Sequence, residues 1–179
     1  LRLVTAARHH LGPDQPELAA AWLSSIEAIA HATKGDRPAC ERALCATQRH
    51  AEAVSPDEPA PWPWIFSFDG RKIAACRVTC GARLGDSRLH LSEHDITTAL
   101  NSAHDKQRAL LHLDVATRDL QAGDAHSAFH IATRALAEGI RLRSGKIVDK
   151  ARRLRSAYRD TQRPAVVREF DDLIHSSYL

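Results

Sequence analysis

The chain has 179 residues, 44% of them apolar, with 25 Lys and Arg against 22 Asp and Glu for a net charge of +3. That length suits one domain, residues 1–179, with a real core. The apolar runs are too short for a membrane span, and no charged stretch leading into an apolar one resembles a signal peptide, so a cytoplasmic protein is expected. Leu1 is not an initiator and the sequence contains no Met, which reads as a piece of a longer protein or a chain with parts left out.

The first apolar-periodic segment, AWLSSIEAIAHATK, stops at Gly35-Asp36, and a second, RPACERAL, comes at once after it. A Gly that closes one helix beside an Asp that caps the next is the punctuation of a helical hairpin. The same pair recurs at Gly85-Asp86 and Gly123-Asp124, so the chain reads as successive antiparallel helix pairs. The rulers stand 50 and 38 residues apart, against about 34 for a tetratricopeptide unit. The first excess matches a connector at 54–69, which holds four prolines and the stretch PWPWIFSFD.

That stretch carries Trp62, Trp64, Phe66 and Phe68, four of the nine aromatic residues. Its alternation suits a half-buried strand, but Pro61 and Pro63 lack the N–H that a ladder needs, which predicts an ordered connector. Asp69 is placed to cap a helix running through Leu84, with Phe68 and Ile73 in the positions of a hydrophobic staple. The aromatic side chains either plug the end of the first helix pair or set a Trp into a ligand groove.

Paired helices approach closely where side chains are small. Seven residues before, five after and twelve after each ruler Gly stand Ala28, Cys40 and Thr47 in the first pair and Ala116, Ala128 and Ala135 in the third. The middle pair offers Val78, His90 and Thr97, a poor fit that predicts a displaced or irregular second helix. Beyond the third pair, Ser144–Tyr158 reads as a helix, and Pro164, suited to a first helical turn, opens a last one through Ile174. The expectation is an all-α, tetratricopeptide-like α-solenoid of about eight helices.

HLSEH, residues 90–94, matches the H-x-x-E-H pattern of inverted zinc peptidases, but no third ligand comes after it, and eleven His make such a match cheap. His126 and His130 repeat the spacing on what reads as an amphipathic helix. Cys40, Cys45, Cys76 and Cys80 read as small buried residues of a reducing compartment. No glycine-rich phosphate loop or Ser/His/Asp arrangement stands out, so no enzyme, metal or cofactor is expected. Residues 141–163 hold nine Lys or Arg against Asp149 and Asp160, which reads as the solvated face of a late helix rather than a DNA-reading surface.

AWLSSIEAIAHATKGDRPACERAL, PWPWIFSFD, RALLHLDVATRDLQAGD and LRSGKIVDKARRLRSAYRDTQRPAVVREFDDLI together resemble the C-terminal tetratricopeptide-like region of actinobacterial helix-turn-helix (XRE-type) transcriptional regulators. The segment DSRLHLSEHDITTALNSAHDK departs from it by lacking an Ala-rich second helix. The resemblance implies a non-enzymatic sensing or protein-contact module, with DNA reached only through an N-terminal domain outside this sequence. With ordinary repeat geometry, the first helices of each pair line a concave face. It includes Trp22, Ser25 and Ile29, then Lys72, Thr79 and Arg83, then Thr117 and Gln121. Cations beside a Trp and small polar residues suit an extended peptide, an acidic small effector or a partner protein. The second reading is a dimerisation region that pairs two DNA-binding heads in a homodimer.

Overall fold

The computed structural model describes residues 1–55, 61–63, 67–85, 92–102 and 104–176. Among them are nine α-helices and no strand. They fall into two compact units, Leu1–Leu84 and Gly85–Leu179.

The first unit contains α1 (Arg2–Leu11), α2 (Glu17–Thr33), α3 (Arg37–Ala53) and α4 (Gly70–Leu84). α2 and α3 form a hairpin closed at Gly35, whose φ of 74° is the left-handed conformation that a side chain would strain. There the Gly35 N–H donates to the Ala32 carbonyl at 3.1 Å and the Asp36 N–H to His31 at 3.0 Å. Asp36 then accepts from the Ala39 N–H at 3.1 Å, capping α3. The expected small residues Ala28, Cys40 and Thr47 are all fully buried at the helix crossing. Packing this tight lets the two backbones close on each other.

Asp69 opens α4 as expected, accepting from the Lys72 N–H at 3.1 Å. Phe68 is buried against Leu18 and Ala21, with Trp22, Ala51, Val54 and Ile73 packed around it. Leu18 lies near the start of α2 and Ala51 near the end of α3, so Phe68 covers that end of the hairpin while stapling α4 to it. Trp64 and Phe66 lie outside the described residues.

α1 is a helix beyond the eight expected. Its single buried residue is Val4, and it is tied to α2 through Arg8, which donates to Ser24 Oγ and Glu27 Oε2, each at 3.0 Å. Leu3, Val4, Ala7 and Leu11 do recur at helical spacing, but no Gly-Asp ruler flanks the segment, so the hairpin count left this helix out.

The second unit contains α5 (Glu93–Leu100), α6 (Asp105–Gln121), α7 (Ala125–Arg141), α8 (Gly145–Ala157) and α9 (Ala165–Ser176). The helix expected second in the middle pair, where a displaced or irregular one was expected, starts late in the sequence. α5 is only eight residues long and begins well past Gly85, where Ser92 and Asp95 form a reciprocal capping box. Thr97 is exposed there and Ala99 is the buried residue. His90 and Asp86 lie outside the described residues.

α6 and α7 repeat the first hairpin's turn: Gly123 has φ 90°, and Asp124 accepts from the Ser127 N–H at 2.9 Å. Ala116, Ala128 and Ala135 are buried at their crossing. α7 ends in the same pair of bonds, Arg143 N–H to Ile140 at 3.0 Å and Ser144 N–H to Gly139 at 2.9 Å. Here the left-handed position, φ 49°, is held by Arg143 rather than Gly. α8 and α9 complete a core around Phe129, which meets Tyr158 and Phe170 edge-on at ring distances of 5.2 Å.

Candidate functional site

The residues expected on the concave face divide between the units. In the first, α2 and α4 lie side by side and run parallel. Lys72 Nζ stands 5.5 Å above the Trp22 ring, the Cys76 thiol points to the Ser25 carbonyl at 3.6 Å, and Arg83 donates to Thr33 Oγ1 at 2.6 Å. Each partner on α4 is 50 or 51 residues beyond its partner on α2. That is the spacing of the Gly35 and Gly85 rulers, so the 54–69 connector lengthens the link without shifting the register.

Trp22 is half-buried and held from behind by Phe68, edge-on at 5.0 Å. Its upper face meets the Lys72 ammonium, a contact worth about 0.5–1 kcal/mol where water has access. Ile29 and Thr79 are half-buried and Arg83 is exposed. Ser25 differs: it is 5% exposed and its hydroxyl donates to the Trp22 carbonyl at 2.7 Å. It therefore steadies the helix beneath the Trp and presents little surface of its own.

In the second unit, the Thr117 hydroxyl bonds back to the Leu113 carbonyl at 2.7 Å, and Gln121 is exposed at the end of α6 beside Gly85. The corresponding α6–α8 seam is ionic. Lys150 reaches Asp114, which is only 5% exposed, at 2.6 Å and also the Leu110 carbonyl at 3.1 Å. A buried carboxylate needs such partners. Neither residue was expected from sequence, where Lys150 was one cation among nine and Asp114 one charge inside an apolar run. Thr33 was missed for a simpler reason: only the 50-residue offset from Arg83 points to it.

Three thiols meet in the first unit. Cys40 on α3 and Cys76 and Cys80 on α4 are buried, and Cys80 bonds both others. Those bonds, and burial after them, push the Cys80 thiol far up, the behaviour of an inert core thiol. Cys45 breaks the expectation of four buried cysteines. It is exposed, five residues beyond Cys40 and on the face of α3 turned away from α2. Among the described residues no group of three or more His, Cys, Asp or Glu is arranged to hold a metal ion. His94 lies near Thr98 at 3.5 Å, and His126 and His130 are exposed on α7.

Two ionisable groups are displaced by their surroundings. Burial raises the Asp69 carboxyl, but bonds from Arg71 and the Lys72 N–H outweigh it and hold the group below the usual carboxylate value. Burial, then the charges of Arg134 and Arg108, hold the His112 imidazole below its ordinary value of 6.5. No helix among the described residues is long and apolar enough to cross a membrane. No protein-family model matches the chain, nor does any curated protein or solved structure.

Proposed function

We propose that the chain is a non-enzymatic binding module with a tetratricopeptide-like arrangement, serving a transcriptional regulator of the helix-turn-helix kind it resembles. The parallel α2–α4 seam supports this most, because it sets Trp22, Ile29, Lys72, Thr79 and Arg83 along neighbouring first helices in a fixed register. An aromatic platform with cations at both ends of the seam suits an acidic extended peptide or an acidic small effector. Ser25 supports the platform, and Thr117 and Gln121 belong to the equivalent helix of the second unit.

The test compares the chain with its Lys72→Glu/Arg83→Glu variant, each recovered from an extract of its own cells and examined by native mass spectrometry. The expected result is an acidic molecule bound to the parent chain and lost from the variant, whose helical circular dichroism is unchanged. Equal retention by both would remove the site from this face.

The second reading, a dimerisation region, draws on Leu3 and Ile26, large apolar side chains that are 86% and 49% exposed. Sedimentation separates the two. A dimer that Leu3→Asp/Ile26→Asp converts to monomer, with the seam variant unaffected, supports the pairing role.

A further inference from the structure

We propose that the second unit carries a surface for the phosphate backbone of duplex nucleic acid, formed by α8 and its flanking turns and presented by Arg143, Lys146, Arg153, Arg159 and Arg163. This goes beyond the effector-binding role and does not depend on it. It also departs from the expectation that the basic run is no more than a solvated helix face.

The charge is concentrated: residues 141–163 carry +7 and the rest of the chain −4. The structure sorts those nine cations into two groups. Arg141 is taken up by Asp105 and Glu138, Lys150 by Asp114, Arg152 by Asp149 and Arg155 by Asp171. Arg141, Lys150 and Arg155 thereby join different helices, and Arg152 is paired within α8. The other five are exposed, and among the described residues none of them makes an ion pair.

Their placement is ordered. Lys146 and Arg153 are two turns apart on one side of α8, about 10.5 Å along its axis. Arg143 is fixed by the turn before the helix. Arg159 and Arg163 sit in a braced turn after it, where the Tyr158 hydroxyl donates to the Gln162 carbonyl at 3.1 Å, Asp160 accepts from the Gln162 N–H at 2.9 Å and Arg168 donates to the Arg163 carbonyl at 2.7 Å. Four unpaired guanidinium groups match phosphate, which each can grip with two parallel bonds, and Lys146 adds a point charge among them.

The chemistry also selects among polyanions. The segment's one aromatic, Tyr158, is already packed edge-on against Phe129 and its hydroxyl is engaged. No ring is left to stack on an unpaired base, which single-strand binders require. Contacts confined to phosphates hold a duplex without reading its sequence.

The experiment is fluorescence anisotropy of the whole chain with a labelled duplex of about 20 base pairs over a range of salt, where each phosphate contact contributes about −0.9 to the slope of log affinity against log salt. Five contacts predict a slope between about −3 and −4.5, equal for unrelated sequences. Lys146→Glu/Arg153→Glu is expected to weaken binding about tenfold or more and to flatten the slope by about 2. Arg159→Gln/Arg163→Gln, a milder change in a turn, should act in the same direction. Arg42→Glu/Arg49→Glu makes the same net change on exposed positions of α3 and should alter affinity less than about threefold. Four results would overturn the proposal: no duplex binding at low salt, equal losses from the α3 control, preference for single strands, or competition by polyglutamate as effective as by duplex.

Discussion

The two units share a hairpin turn and the small residues at its crossing, but they fill their interiors differently. The bulkiest fully buried side chains of the first are Val78, Thr47, Cys40, Cys80 and Ser24, whereas the second buries Phe129, Phe170, Leu113, Leu136, Ile147 and Val167. The first unit's Leu18, Leu44 and Phe68 are buried less completely, at 6–7% exposed, and an innermost core of Ala, Cys, Ser and one Val gains from close backbone approach but removes little apolar area per residue from water. A core of Phe, Leu and Ile removes much more, about 1.5–3 kcal/mol for each large side chain. The lesson is that one hairpin plan supports two stabilities, and the second unit should outlast the first. The seams differ in the same sense, a half-buried cation over a ring in the first unit and a cation paired with a buried carboxylate in the second.

The largest effect expected is from Phe129→Ala, which removes the ring that Tyr158 and Phe170 both pack against and costs about 3–5 kcal/mol. Val78→Ala, at the bulkiest fully buried side chain of the first unit, should cost about 2 kcal/mol. In urea unfolding monitored by far-ultraviolet circular dichroism, the first change should pull a later transition down toward an earlier one, and the second should move only the earlier. A Phe129→Ala chain in which only the earlier transition moves would invert the comparison.

The turns sharpen it on a smaller scale. Arg143 holds a left-handed conformation that Gly35 and Gly123 hold without strain, at a cost of about 1 kcal/mol. Arg143→Gly is therefore expected to stabilise the second unit by up to that amount and Gly123→Ala to destabilise it by a similar one, both read from the shift in the later urea midpoint. If Arg143→Gly left that midpoint unchanged or lowered it, the turn would be relaxed as it stands.

The smallest effect is that of pH. Because His112 is held below 6.5 when folded, the unfolded chain takes up its proton first as pH falls. Stability from this group is complete above 6.5 and declines as pH drops through 6.5 toward the lower folded value. Solvent screening of a half-buried ring leaves the decline a fraction of a kcal/mol. Urea midpoints of the second unit measured on both sides of that window should differ more for the parent chain than for His112→Gln, and equal differences would mean that this imidazole has no part in the pH response.

Much of the fold was legible in the sequence, because the signals are local and repeated. Gly35 and Gly123 need a conformation that other residues avoid, Asp36 and Asp124 cap the helices after them, and the small residues count off from them at fixed distances. Turn chemistry failed as a guide where Arg143 took the place of Gly, and the Gly-Asp rulers left out α1, whose Leu3, Val4, Ala7 and Leu11 keep helical spacing without such a pair beside them. The candidate site was legible only in part. Helical spacing placed Trp22 and Lys72 on first helices, but it could not say that Ser25 would spend its hydroxyl on the Trp22 carbonyl, or which of nine cations would find carboxylates. Some of those outcomes depend on partners far along the chain, as Lys150 on Asp114 and Arg155 on Asp171 do, and others, such as Ser25 on Trp22 and Arg152 on Asp149, on which of several close neighbours a rotamer reaches.

The unequal cores also divide the molecule optically. All three tryptophans and all four cysteines precede residue 85, while the second unit has only tyrosine and phenylalanine for chromophores. Indole emission is thus a signal of the first unit alone, and Cys45, exposed while its three companions are buried, offers a maleimide dye one ready point of attachment there. Further labelling would mark the moment Cys40, Cys76 and Cys80 reach solvent, so the opening of the small-residue core can be timed without engineering a reporter into the chain.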